Sequence, residues 1–128
     1  MKNILLLACL LLGGCSLFWE DAEDEYVYRP AYAISVDVAE VRDRTATFNY
    51  VGVPRSPCDE YVETQSDRKG QVIIVDLVFR YRKQSYCATV EPGPFEKEVA
   101  VRVREPGTYT FQFLSGPDET LDLEVVVP

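Results

Sequence analysis

Few of the side chains that most often perform catalysis occur in this sequence. There is no histidine, so the commonest general base is missing. The sequence also contains no Gly-x-Ser-x-Gly elbow and no glycine-rich phosphate loop. The carboxylate pairs Asp59/Glu60 and Glu96/Glu98 have the composition used for glycoside hydrolysis, but adjacent or alternating acids are typical of a solvated surface. We therefore expect a protein that is not an enzyme.

The first 14 residues have the order of an export signal. Lys2 supplies a basic start, the stretch 4–12 is apolar, and Gly13 and Gly14 are small. The apolar run covers about nine residues, whereas a membrane-spanning helix needs about 20. We therefore predict a signal peptide over residues 1–14 and not a transmembrane helix.

The segment Leu12-Gly13-Gly14-Cys15 resembles the lipobox of bacterial lipoproteins. The resemblance implies that the Cys15 thiol is lipidated, that the signal is cut before it, and that the new amino terminus is acylated. One acyl chain binds a membrane only reversibly, so several chains on one residue would give a stable anchor. The alternative is an ordinary signal peptide with an incidental cysteine.

Residues 15–29 are expected to form the lipidated cysteine and an acidic tether. The like charges that disfavour compaction are Glu20, Asp21, Glu23, Asp24 and Glu25. The stretch 16–29 could reach about 45 Å when fully extended. A calcium site is an alternative use of these acids, but the glycine and the ligand spacing of an EF-hand loop are absent. We expect no metal, and no cofactor other than the covalent lipid on Cys15.

The charge and the length of the remaining chain limit its partners and its size. Loss of the signal removes Lys2, which leaves 12 basic and 21 acidic residues and a net charge of −9. Nucleic-acid binding needs clustered Lys and Arg, so no nucleic-acid partner is expected. About 100 residues follow the tether, which is enough for one core, and the predicted domain is 30–128.

Cys58 and Cys87 both lie within this predicted domain. Two cysteines in an exported domain are typical of one disulfide. The alternatives are free thiols, or half of a zinc site that would need carboxylates to complete it. We expect a disulfide, which would stabilise the fold by roughly 3 to 4 kcal/mol.

From residue 31 onward apolar residues recur with a period of two, as in half-buried strands. The run 71–81 is apolar on both faces in its first half, which predicts a central strand or one covered on both sides. No segment has a helical period over ten residues. The sequence therefore predicts an antiparallel β-sandwich of seven to eight strands, with a small β-barrel as the alternative. The other expected strands are 33–41, 45–51, 58–64, 86–90, 95–104, 108–114 and 121–127, with a turn over 66–70.

The segment 105–111 resembles the turn into the penultimate strand of immunoglobulin-like and fibronectin-type domains. The resemblance implies an immunoglobulin-like sandwich with Tyr109 as a tyrosine corner, its hydroxyl bonded to nearby backbone. Phe111 stands where antibody domains carry a cysteine, and Trp19 lies in the tether. Neither the antibody disulfide nor its buried tryptophan is therefore expected. The alternative is that Tyr109 is one more core aromatic residue.

Two groups of residues are candidates for contact with a partner. Tyr26 and Tyr28 precede the first predicted strand, and tyrosine is enriched at interfaces. The second group is the one basic cluster in an acidic chain, Arg80, Arg82 and Lys83. Both groups have a structural alternative: the tyrosines can fill the edge of the domain, and the basic residues can offset nearby acids.

These features predict a non-catalytic lipoprotein anchored to the bacterial envelope. Ser16 follows the lipidated cysteine, where an Asp resembles the inner-membrane retention signal of Gram-negative lipoproteins, so the outer membrane is expected. The β-sandwich would contact another envelope protein or serve an envelope assembly. The alternatives are a module that binds a surface glycan or peptide, and an enzyme inhibitor. A glycan module predicts aromatic side chains exposed together at one end, and a hydrolase predicts two carboxylates in one pocket with one raised pKa.

Overall fold

The computed structural model describes residues 25–83 and 86–128, which form eight β-strands in two sheets. No helix occurs in these two ranges. The predictions of an all-β sandwich and of seven to eight strands are confirmed. The strands are β1 (Tyr26–Pro30), β2 (Tyr32–Arg42), β3 (Thr45–Val53), β4 (Glu60–Lys69), β5 (Val72–Arg82), β6 (Phe95–Arg102), β7 (Gly107–Gly116) and β8 (Glu119–Val127).

One sheet has three strands in the order β2-β3-β6, and the other has five. β5 is central in the five-stranded sheet, as its apolar sequence predicted. β4 pairs along one edge of β5, while the other edge is shared by β1, opposite residues 78–82, and β7, opposite residues 72–75. β8 pairs with β7 and ends the sheet.

The β5–β7 pair is parallel, whereas the other strand pairs are antiparallel. The sandwich differs here from the all-antiparallel sheets of immunoglobulin domains. Parallel neighbours need a crossover connection, and the chain makes it by passing through β6 in the opposite sheet. The alternation of apolar residues does not record strand direction, so this pairing could not be predicted.

The core lies between the two sheets and is centred on aromatic rings. Phe48 from β3 packs between Phe111 and Phe113 from β7, with ring centroids 4.9 and 5.3 Å apart. All three side chains are fully buried. Aromatic pairs at these distances add to the stabilisation that comes from buried apolar area, and they join the sheets at their centres.

Three local expectations differ from the structure. Most of the stretch 26–30 was expected to belong to the tether. It forms β1 instead, because its backbone completes the hydrogen bonds of β5. β4 continues to Lys69 through the expected turn over 66–70, because pairing with β5 outweighs its polar composition. The turn comes instead at Gly70, whose φ of 65° suits glycine. Residues 86–90 form no strand and lie in the loop that carries Cys87.

Tyr109 begins the inward-facing row of β7 and is 1 % exposed. Its hydroxyl donates a 2.7 Å hydrogen bond to the carbonyl oxygen of Glu105, four residues upstream. This is the contact that resemblance to a tyrosine corner implies. The bond ties the loop between β6 and β7 to the core.

Replacement of Tyr109 by phenylalanine is expected to lower the free energy of unfolding by about 1 kcal/mol, because the Glu105 carbonyl loses its donor. Urea unfolding followed by tyrosine fluorescence would measure the loss. Tyr86→Phe is the control, because Tyr86 is 92 % exposed and should change the free energy by less than about 0.5 kcal/mol. Equal midpoints for Tyr109→Phe and the wild type would contradict the structural role.

Candidate interaction face and neighbouring sites

The two groups of candidate interaction residues lie on one face of the five-stranded sheet. The register of β1 against β5 places Tyr26 opposite Arg82 and Tyr28 opposite Arg80. Because side chains alternate along a strand, these four project from the outer face, away from the core. We call them the tyrosine–arginine cluster.

Arg80 is the centre of this cluster. Its guanidinium carbon lies 4.3 Å from the Tyr26 ring centroid, which is cation–π geometry, and its Nε donates to Glu60 at 2.7 Å. Hydrogen bonds from Arg80 to Glu60 and to Tyr28, in that order of importance, raise the pKa of Arg80. Arg82 donates to the Tyr26 hydroxyl at 3.3 Å. Tyr28 remains 56 % exposed at the edge of the cluster.

Lys83 extends the cluster toward the amino terminus of the described domain. Its ammonium lies 3.7 Å from the Glu25 carboxylate, and its backbone N–H donates to the Glu25 carbonyl at 2.9 Å. The structure therefore brings all five candidate residues together across β1 and β5. Glu60 and Glu25 offset two of the basic charges.

Arg29 lies on the opposite side of β1 and contacts the loop between β3 and β4. It donates two hydrogen bonds, of 2.9 and 3.0 Å, to the two oxygens of Asp59. The Asp59 side chain is 1 % exposed and also accepts a bond from the Ser56 hydroxyl at 2.7 Å. The Arg29 guanidinium stacks over Tyr81, with 4.5 Å between its carbon and the ring centroid.

The pKa of Asp59 reflects two opposing effects. Burial has the largest single influence and would raise the pKa. The hydrogen bonds from Arg29 and Ser56 and the charge of Arg29 outweigh it, so the pKa is lowered overall. The same hydrogen bond raises the pKa of Arg29. The sequence contained no signal for this pair, because its members are 30 residues apart and each is a common surface type.

The predicted Cys58–Cys87 disulfide is present. Cys58 lies in the loop between β3 and β4, and Cys87 lies in the loop that follows β5, so the bond joins two loops at one end of the sandwich. A shallow depression of about 290 Å³ lies at this end, lined by prolines from both loops and by Tyr61 and Phe95. Tyr61 and Phe95 are stacked, with ring centroids 5.6 Å apart.

A second depression, of about 270 Å³, lies on the outer face beside the tyrosine–arginine cluster. Asp76, Glu63, Tyr28 and Val78 are among its lining residues. Burial raises the pKa of the Asp76 carboxyl, and the described residues provide it with no hydrogen bond or ion pair. Burial, with a smaller contribution from the Asp76 charge, also raises the pKa of Tyr50 to about 12.

Several predicted features lie outside the described residues: the signal peptide, Cys15, Trp19 and the acidic run over 20–24. In the described ranges, no set of three or more Cys, Asp or Glu side chains is placed to hold a metal ion. Within those same ranges, no helix has the length and apolar character needed to cross a membrane.

Comparison with known proteins gives no family. No protein-family model, no curated protein and no solved structure matches this chain. The features of this chain that bear on function are the sequence pattern at the amino terminus and the surfaces of the sandwich.

Proposed function

We propose that this chain is a non-catalytic, lipid-anchored protein of the bacterial envelope that presents its β-sandwich to a partner protein. The observation that carries the proposal is the lipobox-like segment 12–15, placed ten residues before the first strand of a folded domain. The Cys58–Cys87 disulfide supports export, because such bonds persist mainly outside the reducing cytosol.

The position of β1 shortens the expected tether. With the sheet beginning at Tyr26, the linker is 16–25, which spans at most about 35 Å. A lipid on Cys15 would therefore hold the sandwich close to the membrane, with the end that carries β1 and the disulfide nearest to it. Anchoring at this distance raises the effective concentration of the domain for partners in or near the same membrane.

The outer face of the five-stranded sheet is the best-supported contact surface. It combines exposed Tyr28 with a half-buried Asp76 that has no hydrogen-bond or ion-pair partner among the described residues. Tyrosine at the centre of a contact and charged groups at its rim are typical of protein interfaces. A basic side chain of a partner would offset the cost of the partly desolvated carboxylate.

Glu63 and Asp76 also share one depression, which is part of the arrangement that a hydrolase would need. The depression is smaller than the roughly 300 to 1,000 Å³ of small-molecule sites, and it lies on the open face of a sheet. A substrate could not be enclosed between the two carboxylates there. This geometry favours a contact surface.

Replacement of Cys15 by serine is expected to abolish incorporation of an alkyne-labelled fatty acid and to release the domain from the membrane fraction. Cys9→Ala is the matched control, because Cys9 lies within the apolar signal and should leave both readouts unchanged. Labelling followed by fractionation and blotting would measure the effect. A Cys15→Ser chain that still carries the label would refute the anchor.

Protease treatment of intact and lysed cells would then show on which side of the membrane the domain faces. A photo-crosslinking residue at position 28 is expected to give a discrete product with one partner. The same residue at position 98, exposed on the three-stranded sheet, is the control and should give none. Equal products at the two positions would refute the proposed face.

A glycan-binding module is the second candidate. Tyr26 and Tyr28 lie side by side at one end of the sandwich, with ring centroids 6.5 Å apart, and Tyr28 is exposed. Binding of envelope or host glycans that is lost in Tyr28→Ala would favour this candidate over a protein partner.

A further inference from the structure

The end of the sandwich opposite β1 carries a depression lined by arginines. It has a volume of about 490 Å³, and its lining includes Arg68 and Ser66 of β4, Arg102 of β6, and Arg104 in the loop that follows. These residues come from two segments more than 30 positions apart, so the sequence had no contiguous basic cluster there. Of the described residues, no Asp or Glu lines the depression.

The three arginines have no acidic partner in the part of the chain that the structure describes. Among residues 25–83 and 86–128, none of their guanidinium groups forms an ion pair with Asp or Glu. The chain has 21 acidic residues, and Asp67 and Glu105 are the immediate neighbours of Arg68 and Arg104. Arginines that line one depression without a counter-charge among the described residues would be stabilised by an anion bound there.

The backbone that carries Arg104 is held in place by Arg44. The Val103 N–H donates to the Arg44 carbonyl at 2.8 Å, and an Arg44 terminal nitrogen donates to the Arg104 carbonyl at 2.6 Å. Arg44 itself has a φ of 61°, in the left-handed region that costs free energy for a residue other than glycine. The turn that contains Arg44 thus holds the loop that carries Arg104 at the edge of the depression.

Arg68 is also held in place. Its Nε donates to the Gly70 carbonyl at 2.8 Å, and its guanidinium carbon lies 5.4 Å from the ring centroid of Tyr109. These contacts leave the two terminal nitrogens of Arg68 available as donors. Because the arginine is already ordered, less rotamer entropy is lost when it binds a ligand.

The donors in the depression match one kind of anion best. A carboxylate offers one charge and two oxygens, whereas a phosphate monoester offers three oxygens and a charge of about −1.5 to −2 at neutral pH. Arg68, Arg102, Arg104 and Ser66 are among the lining residues, and their side chains carry enough donors for the larger group, since guanidinium forks bind phosphate through paired hydrogen bonds. We propose that this depression binds a phosphate monoester on a small molecule, such as a sugar phosphate or the phosphorylated head group of a lipid.

The location of the depression separates it from the outer-face contact surface. Arg68 pairs with Ile73 near the start of β5, whereas Tyr26 pairs with Arg82 at its end. Ile73 and Arg82 are nine positions apart, which corresponds to about 30 Å along the strand. A lipid on Cys15 would therefore place the phosphate site at the end of the domain farther from the anchor. The phosphate site does not depend on the anchor or on the outer face.

Calorimetric titration of the full chain in detergent would test the site, with glucose 6-phosphate and glycerol 3-phosphate as probes and glucose as the uncharged control. We expect saturable 1:1 binding of at least one phosphate ester and none of glucose. Tighter binding of glucose 6-phosphate would indicate a sugar phosphate, and tighter binding of glycerol 3-phosphate would indicate a lipid head group. Absence of saturable binding of either ester up to about 10 mM would overturn the proposal.

Variants distinguish this site from general attraction to positive charge. Arg102→Gln is expected to weaken binding by about tenfold, because it removes a charged donor to the phosphate. Arg42→Gln is the matched control at the same end of the domain, since Arg42 is 77 % exposed and lies near Glu40 and Asp43. A thermal melt of each variant would verify that it folds. An equal loss in Arg42→Gln and Arg102→Gln would overturn the assignment.

Discussion

Replacement of both Cys58 and Cys87 by serine is expected to lower the free energy of unfolding by about 3 to 4 kcal/mol. The bond closes a loop with a sequence separation of 29 residues, and the estimate follows from the chain entropy that such a loop removes from the unfolded state. For a domain of this size the loss corresponds to a fall in Tm of roughly 15 °C. Differential scanning calorimetry would measure it.

Loss of the disulfide should increase local opening most in the two loops that it joins. The loop over 83–94 has no strand in its described part, and β4, which follows Cys58, pairs with β5 and with no other described strand. In the serine variant, amide exchange should therefore accelerate most in residues 54–59 and 86–94. Protection at Phe48 and Phe111, in the core, should fall only as far as global stability falls.

Chemical reduction provides the control for this prediction. A phosphine reductant should lower the Tm of the wild type to that of the double serine variant, and it should leave the variant unchanged. A double variant whose Tm lies within about 2 °C of the oxidised wild type would show that native contacts alone fix these loops.

Replacement of Arg29 by alanine is expected to lower the free energy of unfolding by about 3 kcal/mol at neutral pH. The variant leaves the buried Asp59 carboxylate without the two guanidinium hydrogen bonds that offset its desolvation. Removal of one member of a buried ion pair costs this much because the remaining charge stays buried. Urea unfolding at pH 7 would measure the loss.

This loss should depend on pH with a defined sign. Asp59 has a lowered pKa in the folded wild type, so the pair contributes its full stabilisation above the unfolded pKa of about 3.9. The contribution disappears as the pH falls through the lower folded pKa. The difference between Arg29→Ala and the wild type should therefore be larger at pH 7 than at pH 3. An equal difference at both pH values would contradict this account.

Two further variants separate charge from packing. Arg42→Ala removes a well-exposed guanidinium whose nearest acids lie 3.7 and 3.9 Å away, and it should cost less than about 0.5 kcal/mol. The double variant Arg29→Ala/Asp59→Asn should recover part of the loss at pH 7, because an amide is less costly to bury than an unpaired carboxylate. Absence of any recovery would indicate that the stacking of Arg29 on Tyr81 is the main contribution.

The pairing of Arg29 with Asp59 also affects the proposed tether. Residues 26–29 were expected to belong to the linker, yet β1 pairs with β5, and Arg29 donates hydrogen bonds to Asp59 in the loop after β3. The amino-terminal strand is thus attached to the domain at two places. A lipid on Cys15 would hold the domain through ten residues instead of fourteen, which restricts how far the sandwich can move from the membrane.

The sequence by itself determined the fold class and the disulfide. The period-two alternation in segments such as 45–51 decides which side chains face a core, and that requires only local backbone geometry. The predicted domain contains two cysteines, so it could form only one intramolecular disulfide. The export signal and the lipobox-like segment at Cys15 are also read from local order alone, and they remain predictions.

Only the tertiary structure decided which distant residues meet. The parallel β5–β7 pair, the Arg29–Asp59 ion pair and the arginine-lined depression join segments about 30 or more positions apart. Alternation specifies the face of a strand but not its neighbour or direction, and surface arginines have no spacing rule that predicts convergence. The sequence also did not determine where β4 ends. The polar residues 66–69 have the composition of a turn, but they form strand because they pair with the backbone of β5.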